Sequence, residues 1–522
     1  MKYLFNQKRM RSLIAGALAA MIFTVSLAGC QGNTLTDALP SQTDSSQVSL
    51  AASSSVSASK SEASSQAVSS ESVKVSSAVS SDSSRSVSSA AAVKTVQKVQ
   101  TTSSAAAKSK AVTPEIKKIA DDKSTVSAPR LSVIQTTALA TGYTHIDQRS
   151  GYNALPDLVS RNLYSLIAKS VYKVTATATS DGYYPTQRVT LSGSQLSEAQ
   201  LRLALIAYLN DNPQVFWIAN VYSYGYSPDN NDTYVQLYSY VSQSQCNTMI
   251  QQLNTKVSTI MKAMPSGLSE FDRELYLFNY LTQTISYDNA AAQDTSLWKS
   301  FNAYGALMNG KVVCEGYSRA MQLLSSYSNL QCALVTGQGS GVNHMWNLIQ
   351  INGNWYHLDI TWCDGDTPVY NYFNVTDAVI TQTHTVSPIA TTLSDDEIDG
   401  TNTGDATQCN LFLPACTATE ENYFIVKGTR ITDLSGTDDS AAIAAVSAAV
   451  KGKKQTVSFY IDQNIDFAST LSGLVQSSPY KLVSYLNSAN SQAGLTSKVN
   501  ISGVKYIADQ ANRGLTVFLS YQ

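Results

Sequence analysis

Asn352-Gly353 constrains the fold of this chain more than any other dipeptide in it. It separates the apolar-rich runs NHMWNLIQI and NWYHLDITW, and Asn-Gly in that setting is the strongest short-range signal for a two-residue type I′ hairpin turn, whose central residues both need positive φ. The two strands are then His344 to Ile351 and Asn354 to Trp362. In that register Ile351 faces Asn354, Trp346 faces Asp359 and His344 faces Thr361. His344 and Asp359 therefore point to one side of the hairpin as diagonal neighbours, within reach of long side chains. A three-residue turn would put them on opposite faces.

A cysteine upstream gives this pair a chemical use. After Cys314 the apolar positions Tyr317, Ala320, Met321, Leu324 and Tyr327 recur at three- and four-residue steps, one face of an amphipathic helix with Cys314 at its first turn. A thiol there feels the positive end of the helix dipole, and the unpaired backbone N–H groups of that turn can stabilise an oxyanion. An imidazole takes the thiol proton, and a carboxylate orients the ring and stabilises its charged form. Alone, the cysteine reads as a small buried hydrophobe and the histidine as a structural hydrogen-bonding residue. Together with a same-face aspartate they read as an acyl-transfer triad. The chain has four histidines; His357, on the face of Asp359 but nearer the turn, is the competing base.

The stretches AYGALMNGKVVCEGYSRAMQLL, NHMWNLIQINGNWYHLDITW and YNYFNVTD resemble the core of the bacterial transglutaminase-like superfamily, whose fold is similar to papain-like thiol proteases. The resemblance is close over residues 269 to 378. It is looser upstream through NDNPQVFWIANVYSYGY and ISYDN, and downstream through LPACTATEENYF. It implies Cys314 as nucleophile, His344 as base and Asp359 as orienting acid, with Tyr304 and Trp346 as oxyanion or cleft positions. For Tyr304 an ordinary packing role is the other reading. Two positions depart from the family pattern: Asn279 stands where many relatives have aspartate, and Cys363 lies in an often acidic stretch. Both bear on substrate rather than chemistry. The implied function is a cell-surface thiol acyltransferase or hydrolase acting on protein or peptide carboxamides through a Cys314 thioester, by cross-linking, deamidation or proteolysis. The alternative is a noncatalytic surface module that binds peptides or cell-wall components. No cofactor is implied.

The N-terminal sequence bears on location. Lys2, Lys8, Arg9 and Arg11 precede an apolar run from Leu13 to Ala28, the order of a secretory signal. The ending Leu27-Ala28-Gly29-Cys30 resembles a bacterial lipobox, which makes Cys30 the lipidated residue of a protein anchored at the extracellular face of the cell membrane. From Ser41 to Lys110, Ser, Ala and Val dominate with almost no aromatic residue, as in a disordered tether. A net charge of -2 supplies no basic stripe for nucleic acid.

Of seven cysteines, five remain after Cys30 and Cys314. That odd remainder is no complete disulfide framework, although Cys409 and Cys416 are close enough to bridge a short loop. No cysteine spacing resembles a paired zinc motif, and Asp364-Gly365-Asp366 reads as a turn, so no metal is expected.

The expected fold is α+β: a papain-like transglutaminase core with a small N-terminal α+β domain and a C-terminal α/β module. The divisions are a signal at 1–29, a tether at 30–139, the N-terminal domain at 140–264, the catalytic core at 265–384, a loop or linker at 385–420 and the C-terminal module at 421–522. Binding is the default reading of that module, which shows no catalytic residues.

Overall fold

A computed structural model describes residues 143–400, 407–434, 439–492, 497–502 and 504–522. The expected signal, Cys30 and all of the tether lie outside the described residues. Among the described residues no helix is long and apolar enough to cross a membrane.

The N-terminal layer contains α1 (Leu158–Ser170), the strands β1 (Tyr184–Pro185) and β2 (Val189–Leu191), α2 (Glu198–Asp211), β3 (Ile218–Ser227), β4 (Asp232–Ser239) and α3 (Gln243–Ala263). Local chemistry sets the helix starts. The Asp157 carboxylate accepts the Ser160 N–H at α1, and Ser197 with Gln200 forms a capping box at α2. β4 pairs antiparallel with β1, β2 and β3. Its Thr233, Val235, Leu237 and Ser239 are buried while Tyr234, Gln236 and Tyr238 are half-buried, the period-two pattern of a sheet with one core face.

The central region begins with α4 (Glu270–Thr284), where the Ser269 hydroxyl accepts the Asp272 N–H. β5 (Ser286–Tyr287) pairs in parallel with β6 (Lys311–Val312), separated by α5 (Ala303–Asn309). Then come α6 (Cys314–Tyr327) and a five-stranded antiparallel sheet of β7 (Cys332–Gly339), β8 (Val342–Ile351), β9 (Asn354–Leu358), β10 (Phe373–Val375) and β11 (His384–Val386), in the order β10-β9-β8-β7-β11. Polar contacts fix α6 on the sheet: Asn347 donates to the Ser318 carbonyl, and Gln322 to that of Cys332. One buried cluster runs from Leu163 of α1 through Val257, Phe278 and Leu324 to Phe373. Hydrophobic packing is thus continuous across the boundary expected at residue 264.

The segment expected as a loop from residue 385 holds a 3-10 turn (Ala390–Thr392) and a short helix (Asp395–Asp399). Ala390, Ile398, Cys409 and Leu411 pack against Ala199, Leu203 and Ala207 of α2. Cys409 and Cys416 are both free, Cys409 in that cluster and Cys416 in another against the sheet.

The C-terminal module has a sheet of β12 (Thr429–Ile431), β13 (Thr456–Ile461), β14 (Lys505–Asp509) and β15 (Gly514–Phe518), in the order β12-β13-β15-β14. With α7 (Ser440–Lys451) and α8 (Lys481–Asn490) it encloses its own core around Val446, Phe459, Leu486 and Val517. Its seam with the central region is polar and aromatic. Asn371 donates to Asp509 at 2.9 Å, and Tyr370 stacks on Tyr423 with ring centres 3.5 Å apart.

Candidate active site

The hairpin forms with Asn352 at φ 51° and Gly353 at φ 85°, the two positive values of a type I′ turn. Ile351 pairs with Asn354 and Asn347 with Leu358. The second strand is shorter than expected, ending at Leu358 rather than Trp362. Asp359 causes the stop: its N–H turns to the Tyr372 carbonyl, and its carboxylate caps the helical turn Ile360–Cys363 by accepting the Trp362 N–H at 3.2 Å. Thr361 is consequently helical and makes no strand pair with His344. The diagonal approach survives, because Asp359 Oδ2 lies 2.7 Å from His344 Nε2.

Asp359 is fully buried, and burial by itself would raise its pKa. The His344 charge and the hydrogen bonds from His344 and His384 reverse that and hold it below the ordinary carboxylate range. For His344 burial lowers the pKa, but Asp359 and then Cys314 outweigh it, so the imidazole is held in its charged form. With Nε2 on the carboxylate, Nδ1 is the ring nitrogen left for Cys314.

Cys314 is the first residue of α6 and half-buried, behind an N-cap, Val313, whose side chain makes no capping bond. Two neighbours fix that helix start. A Cβ on Gly316 would stand 2.5 Å from Val312 Cβ, so only glycine fits. The Ser318 hydroxyl lies 2.9 Å from both the Cys314 and Met345 carbonyls, tying the turn to β8. The other described cysteines are all buried. Burial pushes the thiols of Cys246 and Cys416 up to about 12 and those of Cys332, Cys363 and Cys409 upward as well.

His357 is committed elsewhere. Its Nδ1 accepts the Trp346 indole N–H at 2.9 Å and its Nε2 meets Asp377 at 2.9 Å. Burial lowers its pKa. Trp346, expected at the cleft, is fully buried, its ring 5.9 Å from that of His344. Tyr304 is a packing residue in its contacts: it stacks on Phe216 and its hydroxyl donates to Gln252. Asn279 accepts from Tyr370, Cys363 is buried, and Asp364 accepts the Tyr317 hydroxyl.

His384 went unnoticed in the sequence, where no local pattern connects it to the hairpin. β11 brings it alongside Gly339, and its Nε2 lies 3.1 Å from the same Asp359 oxygen that meets His344.

Among the described residues, two groups carry a donor set a metal could use: His344, Asp359 and His384, and His357, Asp377 and Cys416. Ligand atoms around a tetrahedral zinc stand about 3.3 Å apart for bonds of about 2.0 Å, whereas His344 and Asp359 sit at the hydrogen-bond distance of 2.7 Å. In the second group a metal on His357 Nε2 would put a proton on Nδ1, facing the Trp346 N–H. Neither arrangement fits a metal as it stands.

Residues 259–360 match the model of the transglutaminase-like superfamily. The Kyphoscoliosis peptidase of Mus musculus is 26% identical over 130 residues, 23% of this chain and 19% of that protein. The human Kyphoscoliosis peptidase is 26% identical over 109 residues, 19% of this chain and 16% of its own length. The matches thus span under a fifth of the length of these curated relatives. The crystal structure of a TGase aligns with 33% of this chain and 50% of that one at 15% identity and a TM-score of 0.20, an overlap from which nothing further is drawn.

Proposed function

Starting from a transglutaminase-like core over residues 259–360, we propose that this protein is a cysteine-dependent enzyme that opens carboxamides of peptides or proteins through a thioester on Cys314. The observation that carries the reading is the single imidazole, His344, set between Cys314 and a buried, ionised Asp359.

The Cys314 thiolate adds to the amide carbonyl carbon, forming a C–S bond while the carbonyl electron pair moves onto oxygen. In the first turn of α6 the Gly316 and Tyr317 N–H groups go to the Val313 carbonyl, so the donors left for that oxyanion are the N–H groups of Cys314 and Glu315. When the intermediate collapses, the C–N bond breaks and the departing ammonia or amine takes the proton from His344, leaving a thioester. A second nucleophile then adds, its proton passing to His344, and Cys314 departs as the thiolate. An amine nucleophile yields a cross-link and water yields an acid. Asp359 stays ionised throughout and stabilises the imidazolium.

We further propose that the protein works at the outer face of a bacterial membrane, held by lipid on Cys30 through the Ser-rich segment that follows it.

The test is mass spectrometry of glutamine-containing peptides incubated with the protein, with and without a primary amine. Amine incorporation shows transfer, a gain of about 1 Da shows deamidation, and backbone cleavage shows proteolysis. Absence of all three over a broad peptide library, together with no thioester on Cys314, would contradict the proposal and favour a noncatalytic binding module.

A further inference from the structure

We infer that His384 is a positioning residue for the acyl-transfer site: its Nε2 holds Asp359 in the orientation that His344 requires. This rests on the proposed thiol chemistry and adds a fourth side chain to it.

The Asp359 carboxylate is held from three parts of the fold. His344 on β8 and His384 on β11 meet Oδ2 at 2.7 and 3.1 Å, and the Trp362 N–H of the helical turn meets Oδ1 at 3.2 Å. A carboxylate offers about four lone-pair sites, so the second imidazole adds to the first without displacing it. The terminal torsion of aspartate is broad and intrinsically soft. With only His344 and one backbone N–H to fix it, the carboxylate could swing about the line joining those two contacts. A donor on a third element removes that freedom. Since the carboxylate can only accept, His384 is the donor in this bond.

His384 is itself held on every side. Its Nδ1 is 2.9 Å from Thr383 Oγ1, and that hydroxyl is 3.2 Å from the Tyr372 hydroxyl. Its ring lies 5.0 Å from Trp346, 4.5 Å from Trp362 and 5.5 Å from Tyr372. Its backbone pairs with Gly339, where a Cβ would stand 2.9 Å from Trp362 and 3.4 Å from His344 Cδ2. Only glycine lets these rings close around the carboxylate. Filling a void would need only an apolar side chain, whereas here the one polar edge directed at Asp359 is a nitrogen at hydrogen-bond distance.

The test compares His384→Met, which keeps bulk and loses the donor, with His384→Gln, which restores an N–H donor of similar reach. The second-order rate of chloroacetamide alkylation at Cys314 is measured in both and in wild type, with thermal melting as a control. Isotope-labelled histidine spectra report the His344 ring nitrogens. Expected for His384→Met is a fall in alkylation of about tenfold to a hundredfold, the range for loosened alignment at a reacting centre, with a moved His344 signal. His384→Gln should recover most of both. Wild-type alkylation and an unmoved His344 signal in folded His384→Met would overturn the assignment. So would a loss that glutamine does not recover and that follows melting temperature alone. If Cys314 in the wild type itself reacts no faster than a free thiol, the proposed chemistry fails and His384 loses its role with it.

Discussion

Among the described residues, two Cys-His-Asp clusters lie on either side of one indole, and one of them has the geometry that the proposed thiol chemistry needs. Trp346 lies against His344 of the first and donates its N–H to His357 of the second. In the first, the cysteine is half-buried at a helix start, and the histidine has one nitrogen on a buried carboxylate and the other toward the thiol. In the second, Cys416 is fully buried with its thiol pushed up to about 12, and both His357 nitrogens are taken. The same three residue types therefore give opposite histidine behaviour: His344 is raised and His357 lowered. What makes a nucleophile is access, the helix dipole and an uncommitted imidazole nitrogen.

The largest expected effect separates the two cysteines. Cys314→Ala should lower peptide turnover by about 10^4-fold or more, as for loss of other covalent nucleophiles, while Cys416→Ala leaves turnover in the wild-type range. Steady-state kinetics with a peptide substrate checks both. Equal losses would erase the distinction between the clusters.

A second variant should damage both clusters together. One residue inserted between Asn352 and Gly353 moves the β9 side chains to the other face, taking Asp359 from His344 and His357 from Trp346. Cys314 alkylation should collapse while circular dichroism still shows a folded protein. Unchanged alkylation in a folded insertion variant would refute the register.

Trp346→Phe tests the link between them. It removes the N–H that satisfies His357 Nδ1 and should cost about 1 to 3 kcal/mol of stability, the range for a buried polar atom left without a partner. Urea unfolding measures it. A cost near zero would mean that water reaches the nitrogen.

The smallest effects lie in pH dependence, and here the two histidines diverge. His344 is raised, so the folded state binds the extra proton above the unfolded value of about 6.5. Its contribution is full below that value and is lost as pH rises through the folded pKa. His357 is lowered, so the unfolded state binds the extra proton below about 6.5. Acidification through that window costs stability. His344→Gln should flatten the melting profile on the alkaline side and His357→Gln on the acid side. Both variants flattening the same side would contradict the assignments.

What the sequence made legible follows from how local each signal is. Asn352-Gly353 carries the hairpin and its register because positive φ at two successive residues is a strictly local demand. The apolar steps after Cys314 carry α6 for the same reason. The end of β9 is not legible in the sequence, since Asp359 is at once a strand residue by alternation and a helix cap by its side chain, and only the Tyr372 carbonyl decides between them. His384 was illegible because a strand distant in sequence delivers it by pairing with β7. The packing of Ala390, Ile398, Cys409 and Leu411 depends in the same way on a surface of α2 that their own stretch of sequence cannot announce.

The central claim is that Cys314 is activated by His344, and competitive alkylation tests it most directly. The folded protein is treated with limiting chloroacetamide, each cysteine is quantified by mass spectrometry, and the measurement is repeated on His344→Ala. The account predicts that Cys314 is modified first and that the histidine variant slows it steeply, while Cys246, Cys332, Cys363, Cys409 and Cys416 react only on unfolding. A Cys314 rate that is indifferent to His344, in a variant that melts like the wild type, would contradict it.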